Sequence, residues 1–133
     1  MASEFLISAL RARLLNDTDV TDITNTRVYY LESPEKPTYP YLLIHEIDDS
    51  DENSIIGKDG SSPRIQIDSV DKNESVATVK TLDLAVRSSL NDFSGDMDGI
   101  QVNWTVRGGS KVFREPENIL RITRDFICFY NRP

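Results

Sequence analysis

Residues 119–130 of the chain read ILRITRDFICFY, a run rich in β-branched and aromatic residues that is typical of a β-strand. Apolar side chains occupy its last five consecutive positions, Phe126, Ile127, Cys128, Phe129 and Tyr130. Successive side chains of a strand point to opposite faces, so this end of the strand is apolar on both. Such a strand needs cover from two sides, which predicts a layered domain built around it.

Four further stretches carry strand patterns. The clearest alternates Ile100, Val102, Trp104 and Val106 with polar residues, as a strand with one buried face does. A glycine pair follows at 108–109 and predicts a bulge or turn near its end. The predicted strands that precede residues 119–130 are 27–31, 41–47, 64–70 and 100–106.

Two stretches have helical spacing instead. Residues 3–15 place apolar side chains on one face, with Ser3 as the predicted N-cap, and the polar residues of 17–25 predict a turn after this helix. Residues 76–90 give the longest helical pattern in the chain, and Asp71 and Glu74 stand at the spacing of a capping box before it.

Together these patterns predict a single α+β domain over residues 1–133, in the order α-β-β-β-α-β-β. We expect a mostly antiparallel sheet of about five strands with two helices packed on it. A chain of 133 residues and 15.1 kDa fits one such domain. The only long interruption is a strongly acidic hairpin loop at residues 48–62. Phe126 is expected in the core.

The composition narrows the classes of function. The formal net charge is −7 and the sequence pI about 4.6, which argues against nucleic acid as a bound ligand. A single cysteine allows no intrachain disulfide, and one histidine with one cysteine does not make an ordinary four-ligand zinc site. We expect no cofactor and no metal. No targeting or membrane segment is visible, so a cytoplasmic setting is expected for synthesis.

Candidate catalytic groups have simpler structural interpretations. His45 lies in the middle of a predicted strand without a motif for a nucleophile and base, and Cys128 lies in the most apolar strand, where a small buried side chain is expected. The acidic loop begins like a calcium-binding loop at Asp49. However, it has Ser54 where that motif requires glycine and Gly60 where it requires glutamate. The sequence therefore predicts no enzyme.

Charge is distributed unevenly along the chain. The loop region is acidic and the C-terminal part is locally basic, a pattern suited to head-to-tail association of subunits. The alternative explanation is that the acidic and the basic regions are both surfaces exposed to solvent, without a partner. The residues predicted for a subunit interface or a lumen are Asp48, Asp49, Asp51, Glu52, Asp59, Arg107, Lys111, Arg114, Arg121 and Arg124.

The order of several short motifs resembles a known family. These motifs are Arg27-Val28-Tyr29, Pro40-Tyr41, the strand at 64–68 with the pattern RIQID, and the closing stretch at 115–126 that reads EPENILRITRDF. In this order and spacing they resemble the small tail-completion proteins of long-tailed bacteriophages. The resemblance covers nearly the whole chain.

The resemblance implies a structural virion protein. Members of the family form a ring, usually a hexamer, at the head-proximal end of the tail tube, where they end tube polymerisation and join the tail to the head connector. The implied partners are copies of the same chain, the tail tube protein and the head–tail connector proteins, with DNA passing through the lumen without specific binding. The implied location is the virion tail, assembled in the host bacterial cytoplasm. The alternatives are a head-completion or connector adaptor and a non-viral cytoplasmic protein-binding module.

Overall fold

The computed structural model describes residues 2–48, 60–61, 64–91, 93–97 and 100–131. In chain order its elements are α1 (Ala2–Leu15), α2 (Thr18–Thr24), β1 (Val28–Tyr30), β2 (Tyr41–Asp48), β3 (Gly60–Ser61), β4 (Arg64–Lys72), α3 (Ala77–Leu90), β5 (Ser94–Met97), β6 (Ile100–Glu115), a 3₁₀ turn (Pro116–Asn118) and β7 (Ile119–Asn131). The predicted α+β class is confirmed, and so are the five predicted strands and the two predicted helices.

One sheet contains all seven strands, in the order β1-β2-β4-β7-β6-β5, with β3 paired to the end of β7. The β1–β2 pair is parallel and all the other pairs are antiparallel. Strand β7 lies at the centre, because it pairs with β4 on one side and with β6 on the other. Residues 119–130 therefore belong to the strand that organises the sheet.

The main core lies between the three helices and one face of the sheet. Helix α1 contributes Leu6, Leu10 and Leu14, which have no exposed surface. They share this core with Trp104 of β6 and Phe126 of β7, whose rings meet edge to face with centroids 6.0 Å apart. Burial of this apolar surface is the principal source of stability for a domain of this size.

The opposite side, which we call the open face, is the side of the sheet that faces away from the helices. A small cluster covers one end of it, formed by Tyr41, Leu43 and Val70. At the other end Ile127 and Phe129 are half-buried. Within the described residues the helices supply one side of the two-sided cover expected for β7, and none of them lies over the open face.

Besides the 3₁₀ turn, the structure adds one helix and two strands that the sequence did not predict. Residues 17–25 were predicted to form a turn, but they contain α2, whose N-cap Asp17 accepts a hydrogen bond from the backbone of Asp19 at 3.0 Å. Strands β5 and β3 are the other two. Both are short, and neither has an apolar alternation long enough to be recognised.

The predicted N-capping residues of both helices were wrong. Strand β4 continues to Lys72, and α3 begins only at Ala77, so Asp71 is not part of a capping box. The side chain of Asp71 is buried and accepts a hydrogen bond from the Lys72 backbone at 2.8 Å. Ser3 lies inside α1, which begins at Ala2, and is not its N-cap.

The irregularity in β6 agrees with the predicted bulge or turn. The β6–β7 register shifts between Arg107 and Lys111, as expected for a bulge at the glycine pair. Of the predicted acidic loop at 48–62, Asp48 ends β2 and residues 60–61 form β3, whereas 49–59 and 62 lie outside the described residues.

No helix in the described part of the chain is long and apolar enough to cross a membrane.

Replacing Phe126 by alanine tests the core. Phe126 is fully buried, so Phe126→Ala is expected to lower the free energy of unfolding by about 3 to 5 kcal/mol. That is a large part of the roughly 5 to 15 kcal/mol available to a small domain. Urea unfolding followed by circular dichroism measures the change, with the exposed Leu84→Ala as the matched control. Equal midpoints for the two variants would show that burial of Phe126 does not contribute to the free energy of unfolding.

Candidate functional site

The open face carries a band of polar and charged side chains across its two central strands. Strand pairing places Asp68 of β4 beside Thr123 of β7. Two residues further along the strands, it places Gln66 beside Asp125. Alternation explains this composition, because the neighbouring residues Ile65, Ile67 and Phe126 point to the helices. The central strands therefore separate an apolar face from an ionic one.

Asp68 is the centre of this band. Its side chain is only 3% exposed, and its carboxylate accepts hydrogen bonds from Arg121 Nη1 at 2.8 Å and from Thr123 Oγ1 at 2.9 Å. Gln66 Nε2 donates to the same carboxylate at 3.1 Å, and His45 Nε2 lies 3.2 Å from Oδ2. A buried carboxylate is stable only when its oxygens are satisfied in this way.

Two ion pairs extend the band on either side of Asp68. Arg121 also donates to Glu115 Oε1 at 3.4 Å, and Arg64 donates to Asp125 Oδ2 at 2.6 Å. Burial of Arg121 lowers the pKa of its guanidinium, but the hydrogen bond and the charge of Asp68 outweigh burial, so the pKa is raised overall. Arg121 is therefore a permanent positive charge, held in a fixed position.

A shallow cavity of about 260 Å³ lies on the same face between β4, β7 and β6. Its walls include the Lys111 and Phe113 side chains of β6 and the Arg64–Asp125 ion pair. Charged, hydrogen-bonding and aromatic groups thus border one depression. This mixture suits contact with another protein surface, where aromatic residues and arginine are enriched.

A second ionic contact lies on the helix side. Arg124 of β7 donates to both oxygens of Asp83 on α3, Nε to Oδ1 at 2.9 Å and Nη2 to Oδ2 at 2.7 Å. The two side chains are 9% and 7% exposed. The hydrogen bond to Asp83 raises the pKa of Arg124 against the opposing effect of burial. This bidentate pair joins the central strand to the longest predicted helix.

The predicted interface residues therefore fall into different places. Lys111 and Arg114 are exposed on β6, Arg121 is partly exposed on the open face, and Arg124 lies inside the protomer. Arg107 is paired in register with Asp125 in the β6–β7 ladder. Of the acidic set, Asp48 is the last residue of β2, and Asp49, Asp51, Glu52 and Asp59 lie outside the described residues.

The candidate catalytic residues have the structural positions that the sequence predicted. His45 is half-buried in β2, and the carboxylate it approaches is shared with Arg121. Cys128 is fully buried, and burial raises the pKa of its thiol, which keeps the thiol protonated at neutral pH. Among the described residues no group of three or more histidine, cysteine, aspartate or glutamate side chains is placed to hold a metal ion.

Comparison with known proteins identifies the family. The model of the family described as tail completion protein gp17 matches residues 8–130, which is nearly the whole chain. The chain belongs to the gp17 tail completion family. This confirms the family that the motif order at 27–29, 40–41, 64–68 and 115–126 predicted, and it confirms the predicted place of the protein in the virion tail.

A solved structure has the same fold as this tail completion protein. It is a chain from a structure entitled "Virion of native gene transfer agent (GTA) particle", with a TM-score of 0.79 and 20% sequence identity. The match covers 93% of this chain and 92% of that one, so the fold is shared over the full domain. No curated protein sequence matches the chain.

Breaking the buried ion pair is expected to destabilise the protein. Asp83→Ala leaves the Arg124 guanidinium buried and uncompensated, at a cost of about 3 to 5 kcal/mol in unfolding free energy. Replacing both residues, as in Asp83→Leu with Arg124→Met, is expected to recover most of this loss. Urea unfolding measures both variants, with Asp22→Ala on the exposed side of α2 as the control. A single variant as stable as the control would contradict the structural role.

Removing the charge of Asp68 tests the centre of the open face. Asp68→Asn keeps the shape of the side chain but weakens its hydrogen bonds to Arg121 and Thr123, so a loss of about 1.5 to 3 kcal/mol is expected. Thermal unfolding of Asp68→Asn and of the exposed control Asp22→Asn measures the difference. Equal melting temperatures would mean that the band contributes nothing to the stability of the monomer.

Proposed function

We propose that this protein is a tail terminator, which forms a homo-oligomeric ring, in our proposal a hexamer, at the head-proximal end of the tail tube. The ring ends polymerisation of the tube and joins the tail to the head connector. The observation that carries the proposal is the match of the tail completion family model to residues 8–130. The partners would be other copies of this chain, the tail tube protein and the connector proteins. The role is structural, without catalysis or a cofactor.

The likeness of the fold to a chain of a gene transfer agent virion supports a place in a phage-like particle. The form of the protomer supports it as well. Its helices occupy one face of the sheet and leave the ionic band around Asp68 on the other, so one small domain has two chemically different sides. A subunit at a junction needs two such sides, because it meets unlike partners.

The charges of the chain suggest how the subunits meet and what they enclose. We assign the acidic segment with Asp48, Asp49, Asp51, Glu52 and Asp59 and the basic residues Arg107, Lys111, Arg114 and Arg121 to subunit contacts or to the lumen. Arg124 leaves this set, because Asp83 binds it inside the protomer. A chain with a net charge of −7 also suits a channel through which DNA slides without being gripped.

Electron microscopy of particles assembled without the protein tests the proposal. Loss of a terminator is expected to give tails of uncontrolled length together with full heads that carry no joined tail. Adding back the purified wild-type protein should restore tails of uniform length. Phe126→Ala, which disrupts the core, serves as the inactive control.

The other outcomes separate the alternatives. Tails of normal length beside unjoined full heads would contradict termination and favour a head-completion or connector adaptor. Complete, infectious particles assembled without the protein would overturn a virion role and favour a separate cytoplasmic binding module.

A further inference from the structure

The sheet has two outer edges, and both carry exposed apolar side chains. Six large apolar residues are exposed among those the structure describes, and four of them lie at these edges in two adjacent pairs. Tyr30 and Leu31 are 38% and 59% exposed at the β1 edge, and Val112 and Phe113 are 49% and 47% exposed at the β6 edge. Each edge therefore exposes two apolar side chains that are neighbours in sequence.

The residues beside the two pairs differ in charge. At the β1 edge the pair is followed by Glu32 and Glu35, which are exposed; Lys36 comes next along the chain, and Arg11 Nε donates to Val28 O at the same edge. At the β6 edge the exposed Lys111 and Arg114 enclose the pair. We call residues 30–35 the acidic edge patch and residues 111–114 the basic edge patch.

The strand register places the two patches at similar heights on the sheet. Residues paired across neighbouring strands form rows that run across the sheet. Tyr30 lies in the row that continues through Ile44 and Ile67 to β7. Val112 lies in the row that contains Val28, and Val28 is two residues along β1 from Tyr30. Two residues of a strand span about 7 Å, so the patches of two neighbouring molecules can meet almost side by side.

The β1 edge is closed to further strand pairing. The backbone N–H of Leu31 donates to Ile44 O at 2.9 Å and so points toward β2. Backbone groups alternate in direction along a strand, so those of Val28 and Tyr30 point away from β2. Arg11 Nε donates to Val28 O at 2.9 Å, and Glu32 N donates to Tyr30 O at 2.9 Å. Both outward carbonyl groups are therefore occupied, and contact at this edge must use side chains.

A strained backbone marks the same position. Leu31 has φ +71°, a left-handed conformation that is rare for a large side chain and that holds this leucine 59% exposed. Strain of this kind persists where the surrounding structure enforces it, and it occurs most often at functional positions.

On the proposed function, we infer that the occupant of each patch is a second copy of this chain, with the acidic edge patch of one subunit packed against the basic edge patch of the next. The two patches lie on opposite edges of one sheet, so the contact is head to tail and continues from subunit to subunit. Charge complementarity at the rim selects the pairing of unlike edges, and the apolar pairs supply the buried centre.

Complementary charge reversal is the sharpest test. Lys111→Glu removes the net positive charge of the basic edge patch, because Arg114 then balances the new carboxylate, and Glu32→Lys removes the net negative charge of the acidic edge patch in another subunit. Each variant alone is expected to raise the concentration at which half the subunits are in rings by roughly tenfold or more. An equimolar mixture should restore rings in which the two variants alternate, because each reversed residue then meets its complement. Native mass spectrometry measures the ring masses and the proportion of each variant.

Apolar variants test the centre of the contact. Leu31→Asn suits the left-handed backbone at this position, so the monomer should keep its melting temperature while the rings are lost. Val112→Asn should have the same effect on the rings from the other edge. Leu84→Asn, at a residue 53% exposed on α3, is the matched apolar control, and Lys80→Glu on the same helix is the charge control.

The outcomes distinguish this inference from the proposed function. Wild-type rings with unaltered rings in all edge variants would overturn the edge contact and leave the tail role standing. Wild-type protein that forms no ring, either alone or with isolated tail tubes, would overturn both. Loss of rings in the single variants with recovery in the mixture would support the contact.

Discussion

The bidentate contact between Arg124 and Asp83 ties α3 to the central strand of the sheet. Arg124 lies in the middle of β7 and points to the helix side, where every neighbouring position on the strand is apolar. A guanidinium there needs a carboxylate at a defined distance and angle, and α3 supplies it. The pair therefore adds a directional contact to the apolar burial that holds α3 against β7. The Trp104–Phe126 contact and the α1 leucines then fill the space that remains.

Much of the fold follows from periodicity. The alternation in β4 and β6 and the helical spacing in α3 each persist over many residues, so each identifies its element and its buried face. Helix α2 could not be predicted in this way, because its threonines and aspartates favour turns. The Asp17 N-cap and the burial of Val20 and Thr24 against the rest of the domain stabilise the helix. Strands β3 and β5 are too short to show any period.

The candidate site could be predicted less well from the sequence than the fold could, because the geometry of the site depends on strand pairing. Asp68 gathers partners from three strands, and nothing in the order of residues shows that His45, Gln66 and Arg121 surround it. The sequence does contain a pattern from which the Asp83–Arg124 pair could have been predicted. Arg124 alternates in phase with Leu120, Ile122 and Phe126, and Asp83 stands within the apolar stripe of α3. Two opposite charges on two buried faces indicate an internal ion pair and not a subunit contact.

The closed edge of β1 bears on the behaviour of the single subunit. An exposed strand edge invites pairing with any unfolded or misfolded chain. Arg11, reaching from α1 to Val28 O, and the turn at Glu32 remove the carbonyl groups that such pairing would use. The two hydrogen bonds that occupy the outward carbonyl groups of this edge thus remove a template on which another chain could pair.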